Sequence, residues 1–389
     1  MRVKTLILAA SFALAGLSGC SLGDEPTGPP QLGARSSDDD AVAKLGFPAT
    51  ATKNTIRVGG GDAVADAAGV ASAVFPGTND VGRPTAVVLV DEDDWQAGVT
   101  ASVLSAAPIG APLLISEGDE LPPVTEDTLD RLNPIGSDLA QDAQVIRIGD
   151  EPPRPGGFKT AVIEGNDVYE RAAAIDRFFS AAKGKPSADV VVVSGERSEY
   201  AMPAAAWAAR SGDAVLLTRT DSVPAATKTA LRAHRKPNIY LLGPEGVITP
   251  KVAKELGELG KVRRIEGEDP VANAIAFTRY SRTGFGWGLK LSGNNYTLAN
   301  TSRPLDAAAS AALATNGVFA PLLLTDEADE LPERLVGYLQ NVQPGYQDDP
   351  RQGAYNRVWI LGDEKQLSVP AQARLDPLTE LVPIENNAP

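Results

Sequence analysis

The chain has 389 residues but only one cysteine, Cys20, and one histidine, His234. A single thiol excludes an intramolecular disulfide and a thiolate metal cluster, and it leaves any zinc site to carboxylates, an uncommon ligand set. No G-x-S-x-G elbow and no Walker A sequence occurs. Gly59-Gly60-Gly61 falls short of a dinucleotide loop because Val64 stands where the third glycine should be. His234 lies in the basic stretch Arg232–Lys236, between a predicted helix and a predicted strand. It reads as a solvated loop residue rather than a triad base. Aromatic residues make up only 5%, so cores must be built from Ala, Val, Leu and Ile. Positive charge is also short. With 36 Lys and Arg against 50 Asp and Glu, the formal net charge is −14, which argues against nucleic acid and against an electrostatic grip on anionic lipid.

Long apolar runs are missing too, with one short exception at the start. Arg2 and Lys4 precede an apolar run from Leu6 to Leu17, too short to span a bilayer, and Leu17-Ser18-Gly19-Cys20 follows. This arrangement resembles a bacterial lipoprotein signal, which implies that residues 1–19 are removed and that Cys20 carries the lipid. Their removal takes away two positive charges and no negative one, from −14 to −16. Residues 20–53 then form the lipidated cysteine and a flexible tether rich in Pro, Gly, Ser and Asp.

What the chain has in abundance is internal repetition. Three segments open on a strand ending in Gly and Asp: Ile56–Asp62, Ala161–Asp167 and Arg263–Asp269. Each continues into an alanine-rich helix and then a buried strand, expected at Thr85–Val90, Ala188–Ser194 and Trp287–Ser292. A second helix leads to a third strand, APLLIS, DAVLLT or APLLLT, whose ends are marked by Ser116, Thr218 and Thr325. Pro122, Pro224 and Pro332 then suit helix starts. The unit closes on a strand ending in Gly: Gln144–Asp150, Asn238–Pro244, Arg357–Asp363. Continuous apolar strands alternating with helices predict βαβ units and parallel sheets. The period divides the chain into 54–157, 158–260 and 261–389. The third copy carries two apparent insertions, Leu291–Asp306 and Pro344–Tyr355, the first containing Asn294-Asn295-Tyr296.

Carboxylates recur at fixed places. Asp62, Asp167 and Asp269 stand where a helix N-cap is needed, at the carboxyl edge where a parallel sheet also places ligands. Capping is the expectation. Asp91-Glu92-Asp93-Asp94 and Asp326-Glu327 read as solvated acidic loops rather than cation sites. No catalytic residue, metal or cofactor is expected.

Repeated three times in order, these motifs resemble the cell wall-binding repeat 2 family. The best parts are Ile265–Asp269, Leu305-Asp306-Ala307, Ala320–Thr325, Val358–Gly362 and Tyr240–Val252. The resemblance implies three small flavodoxin-like or Toprim-like α/β modules around a pseudo-threefold axis. It also implies a non-enzymatic envelope protein that binds an anionic wall polymer. The family follows its early Asp with Arg-Tyr and then Thr-Ala; here the Thr position holds Asp66, Arg171 and Asn273. Expected ligand contacts are Arg197, Arg219, Arg303, Asn294, Asn295 and Tyr296, with Arg232, Arg235, Lys236, Arg279 and Arg282 as further basic surface. The expected partners are the membrane, through the lipid, and a wall glycan or teichoic-type polymer. The other reading is a solute-binding lipoprotein that closes a cleft on a small ligand.

Overall fold

The computed structural model describes residues 33–37, 50–77, 82–315 and 317–384. The expected leader and Cys20 lie outside the described residues. In chain order, β1 (Thr50–Ala51), β2 (Thr55–Arg57) and α1 (Ala63–Val74) are followed by β3 (Val87–Asp91), α2 (Trp95–Ala101), β4 (Leu113–Ser116), α3 (Pro123–Leu132) and β5 (Val145–Ile148). The second repeat gives β6 (Thr160–Ile163), α4 (Val168–Ala182), β7 (Asp189–Ser194), α5 (Ser198–Ser211), β8 (Ala214–Thr218), α6 (Ala225–Ala233), β9 (Asn238–Leu242) and α7 (Pro250–Gly257). The third gives β10 (Lys261–Ile265), α8 (Pro270–Arg279), β11 (Asn295–Asn300), α9 (Asp306–Ala309), β12 (Leu322–Thr325), α10 (Glu333–Asn341), β13 (Gly345–Tyr346), β14 (Arg357–Ile360), α11 (Val369–Thr379) and β15 (Val382–Pro383).

These strands make three main sheets, in the orders β4-β3-β5-β6, β8-β7-β9-β10 and β12-β11-β14-β2-β1. All pairings are parallel except β1 on β2. Numbered within each sheet, the order is 2-1-3-4, that of a flavodoxin-like α/β unit. The central strands β3 and β7 are almost wholly buried, which is why they read as unbroken Val and Leu rather than as an alternation.

The sheets are assembled out of phase with the sequence period. The opening strand of each repeat adds to the sheet before it: β6 joins the first sheet, β10 the second, and β2 returns to close the third. The helix that follows crosses over, so α1 packs on β4, α4 on β8 and α8 on β12. Three strand exchanges in one direction close a ring. Arginines fasten two of them. Buried Arg57 on β2 donates to the carbonyls of Gly362, Asp363 and Leu367, and Arg264 on β10 donates to those of Gly243 and Ile248.

At the middle of the ring, α2, α5 and α9 each pack on the other two, a pseudo-threefold arrangement. Small residues permit the approach: a Cβ on Gly98 would lie 2.8 Å from Leu305 Cδ2 and 3.0 Å from Ala308 Cβ. The largest buried cluster runs through all three units and is mostly Ala, Val and Leu, as scarce aromatics require.

Two expectations need correction. Trp287–Ser292 is not a strand; the strand is β11, inside what read as an insertion. Trp287 instead meets Trp207, centroids 5.5 Å apart, in an aromatic cluster with Phe277 and Phe285. The apolar signal there served side-chain packing, while Asn295, Thr297 and Asn300 disguised the true strand. Part of the expected tether is also fixed: Gly33 donates to Gly59 O and Gly61 donates to Ala34 O, with Ala34 and Ser36 buried. A Cβ on Gly61 would lie 2.5 Å from Gly33 O, so this glycine-rich loop cradles the chain's own backbone rather than a phosphate.

Candidate functional site: the three junctions

Each junction between neighbouring units is built from the same parts. The central strand ends in a polar residue whose side chain accepts from an amide two residues on: Asp91 from Asp93 N, Ser194 from Glu196 N, Asn300 from Ser302 N. This turn aims the residue three positions after the strand end, which is Asp94, Arg197 or Arg303. Facing it is the first turn of the next unit's crossover helix. Asp62, Asp167 and Asp269 cap that helix, accepting from Ala65 N, Glu170 N and Ala272 N, so they act as N-caps as expected. Four residues after each cap come Asp66, Arg171 and Asn273. Two residues before each cap comes Gly60, Gly165 or Gly267. Its Cβ would lie 2.7, 2.4 or 2.2 Å from the backbone nitrogen of Asp66, Arg171 or Asn273, so the Gly of the Gly-x-Asp motif is demanded by strand-to-helix contact.

The polar pair differs at each junction. Between the third and first units, Arg303 pairs with fully buried Asp66 and also with Asp306 at 2.7 Å, and it donates to Gly60 O and Gln366 Oε1. Two carboxylates share one cation here. Burial, opposed by Arg303 and reinforced by Asp306, pushes Asp66 up to about 8. Between the first and second units the polarity is reversed, with Arg171 on Asp94 at 2.6 Å. A groove of about 510 Å³ opens there, lined by Asp91, Asp93, Asp94, Glu151 and Glu164, so it is strongly acidic. Between the second and third units no pair forms. Arg197 turns to Glu199 in its own turn, at 2.7 Å, and Asn273 is buried with neither amide atom partnered.

The other expected contact residues are dispersed. Arg219 is exposed at the end of β8 and lies over the Tyr169 ring, 4.9 Å from its centroid. Asn294 and Asn295 sit at the amino edge of the third sheet, away from the junctions, and their amides donate to Leu291 O and Val318 O. Tyr296 is fully buried, with its hydroxyl 3.3 Å from that of Tyr338, so it offers no platform to a ligand. Arg303 is consumed by its carboxylates. Of the expected residues, Arg197 alone stands at a junction with its charge half exposed.

His234 is not a solvated loop residue. It caps the C-terminus of α6 and turns inward, with Nδ1 2.7 Å from Ser187 O and Nε2 2.9 Å from Asp176 Oδ2. Beside it, a groove of about 730 Å³ between α4 and α6 has an alanine floor and a rim of Glu164, Glu170, Arg177 and Thr229. Among the described residues, no cluster of His, Cys, Asp and Glu could hold a metal ion, and no helix is long and apolar enough to cross a membrane.

Comparison with known proteins agrees with this geometry. Residues 162–253, from β6 into α7, match the family model for cell wall binding domain 2 (CWB2). No curated protein matches the chain. Among solved structures, Cwp6 from Clostridium difficile superposes with a TM-score of 0.65 at 18% identity, over 82% of this chain and 47% of that one. Cwp8 from Clostridium difficile gives 0.62 at 20% identity, over 86% and 52%. The chain thus spans about half the length of each. Residues 162–253 therefore match a cell wall binding domain 2, and the chain around them shares its fold with Cwp6 and Cwp8.

Proposed function

We propose that this chain is a non-catalytic attachment protein of the cell envelope, held to the membrane by a lipid on Cys20 and to a wall polymer by its ring of modules. The observation that carries the reading is the cell wall binding domain 2 match over residues 162–253. The chemistry of the junctions supports it. Their repeated carboxylates have structural work, Asp62, Asp167 and Asp269 capping helices and Asp66 and Asp94 pairing with arginine, which suits a binding module. Three similar junctions on one ring suit a repeating polymer, because weak contacts made together add to useful avidity. A solute-binding protein works by opening two lobes about a hinge. Here each neighbouring pair of units is interlocked by an exchanged strand.

Co-sedimentation with purified cell walls tests the attachment. The full chain should pellet with walls and be released by added soluble wall polymer. A chain that stays in the supernatant at low salt refutes it. The anchor is tested separately by metabolic labelling with a fatty-acid analogue, which should mark the wild type and leave Cys20→Ser unlabelled.

A further inference from the structure

We propose that the acidic groove between the first and second units binds an extended, basic peptide segment of a partner protein, seated as the chain's own residues 33–37 are seated between the third and first units. The inference is independent of wall attachment and starts from that strap. Gly33 N donates to Gly59 O, Gly61 N donates to Ala34 O, and Ser36 donates from both N and Oγ to Asp62 Oδ2. The strap therefore runs beside Gly59–Asp62 in the same direction, held mainly through its backbone. Ala34 is buried against Ala65, and a Cβ on Gly33 would lie 3.0 Å from Asp363 Oδ2 in the third unit.

Counted from the Gly-x-Asp motif and from the glycine that ends each closing strand, Gly59, Gly61 and Asp363 correspond to Glu164, Asn166 and Asp150. All three line the groove of about 510 Å³, so the place the strap fills at one junction is open at the next. Acceptors are ready there. Among the described residues nothing donates to Glu164 O, and Asp167 spends only Oδ1 on its helix. The outer oxygen of Asp62 is taken by Ser36, and that of Asp269 by Arg334 at 2.8 Å. Asn166 N, the equivalent of Gly61 N, is met by the exposed Glu170 side chain at 3.1 Å. Glu170 stands where Ala65 receives Ala34. A lysine or arginine at that place in the peptide would draw Glu170 to itself and leave Asn166 N to a peptide carbonyl. Charge favours the same occupant: Asp91, Asp93, Asp94, Asp150, Glu151 and Glu164 line the groove against one guanidinium, Arg171, which Asp94 already holds. Backbone pairing would supply affinity, and the carboxylates the choice of a basic segment.

The test is an NMR titration of the full chain with acetyl-Gly-Arg-Arg-Ser-Ser-amide, the strap sequence with arginine in place of Ala34, read at the backbone amides of Gly149 and Asn166. Saturable shifts that weaken with added salt are expected. The strap peptide itself, acetyl-Gly-Ala-Arg-Ser-Ser-amide, should bind about tenfold more weakly, the effect of one charge-assisted contact. Glu170→Ala should erase that difference. Asp150→Lys together with Glu151→Lys, both at exposed positions, should weaken binding about tenfold or more at unchanged thermal stability. No saturable shift at Asn166, an unchanged affinity in this double variant, or spermidine binding as tightly as the peptide overturns the assignment, the last making the groove a sink for any cation. A concentration-dependent dimer that the double variant loses, with no answer to the peptide, also overturns it and gives the groove to the strap of a second copy.

Discussion

Replacing Arg303 by Met should be the most damaging single change at the junctions, and its cost should depend on pH. Among the described residues, Arg303 is the cation shared by Asp66 and Asp306, both fully buried. Its removal leaves two carboxylates in a low-dielectric pocket, and breaking a buried pair in this way costs about 3–5 kcal/mol. The wild-type site already sets two carboxyl groups against one guanidinium. Burial, the largest influence, raises both Asp66 and Asp306 despite Arg303, with Asp66 reaching about 8. An unfolded aspartate titrates near 3.9, so between that pH and about 8 the folded chain holds a proton that the unfolded chain has lost. Stability from this site therefore falls as pH rises through that window. In Arg303→Met the carboxylates must bind protons to stay buried, so the deficit should be small at pH 5 and largest above pH 8. Urea unfolding at the two pH values measures it, and Asp66→Asn in the Arg303→Met background should restore part of the loss. A deficit below about 1 kcal/mol above pH 8, or one equal at both pH values, refutes the ion-pair account.

Other changes follow from the same geometry. Gly267→Ala places a Cβ 2.2 Å from Asn273 N and should cost about 1–3 kcal/mol by overpacking, while Gly246→Ala, which meets nothing within 4 Å, should be neutral in the same thermal melts. Asp167→Ala should cost about 1 kcal/mol through the lost cap and leave wall retention intact; lost retention at unchanged stability would return this residue to a ligand role. His234 is pulled down by burial, but its hydrogen bond and charge contact with Asp176 outweigh that and leave it raised. Its contribution is thus complete below the unfolded value near 6.5 and disappears as pH rises through the folded value. His234→Gln should therefore cost about 1.5–3 kcal/mol at pH 5.5, the worth of hydrogen bonds to charged groups, and progressively less toward pH 9. A difference that stays flat across that range rules out an imidazolium.

Much of the architecture was legible because strands buried on both faces leave unbroken apolar runs, and because Gly, Asp and Pro recur at fixed distances from them. The caps Asp62, Asp167 and Asp269 and the helix starts after Pro122, Pro224 and Pro332 could be read from spacing alone. The exchange of β2, β6 and β10 could not, since a parallel strand carries the same pattern whichever sheet receives it. Arg57 and Arg264 were the available signal: an arginine inside an apolar strand needs carbonyls to hold. The site was less legible than the fold. Arg303 and Arg197 look alike in sequence, and only the residue facing each one, Asp66 or Asn273, separates a sealed junction from an open one. Asn294, Asn295 and Tyr296 misled because polar residues beginning a strand resemble a loop.

The exchanged strand β2 also decides where a pull on this protein is felt. A pull from the N-terminal side meets the segment 33–37 first, where Gly33 donates to Gly59 O and Ser36 donates to Asp62 and Glu117. Beyond it come β1 and β2, hydrogen-bonded into the sheet of the last unit, where Arg57 is fixed to carbonyls more than three hundred residues along the chain. Load applied from the N-terminal side would thus arrive at both ends of the sequence together, across a strand whose release would part the last unit from the first.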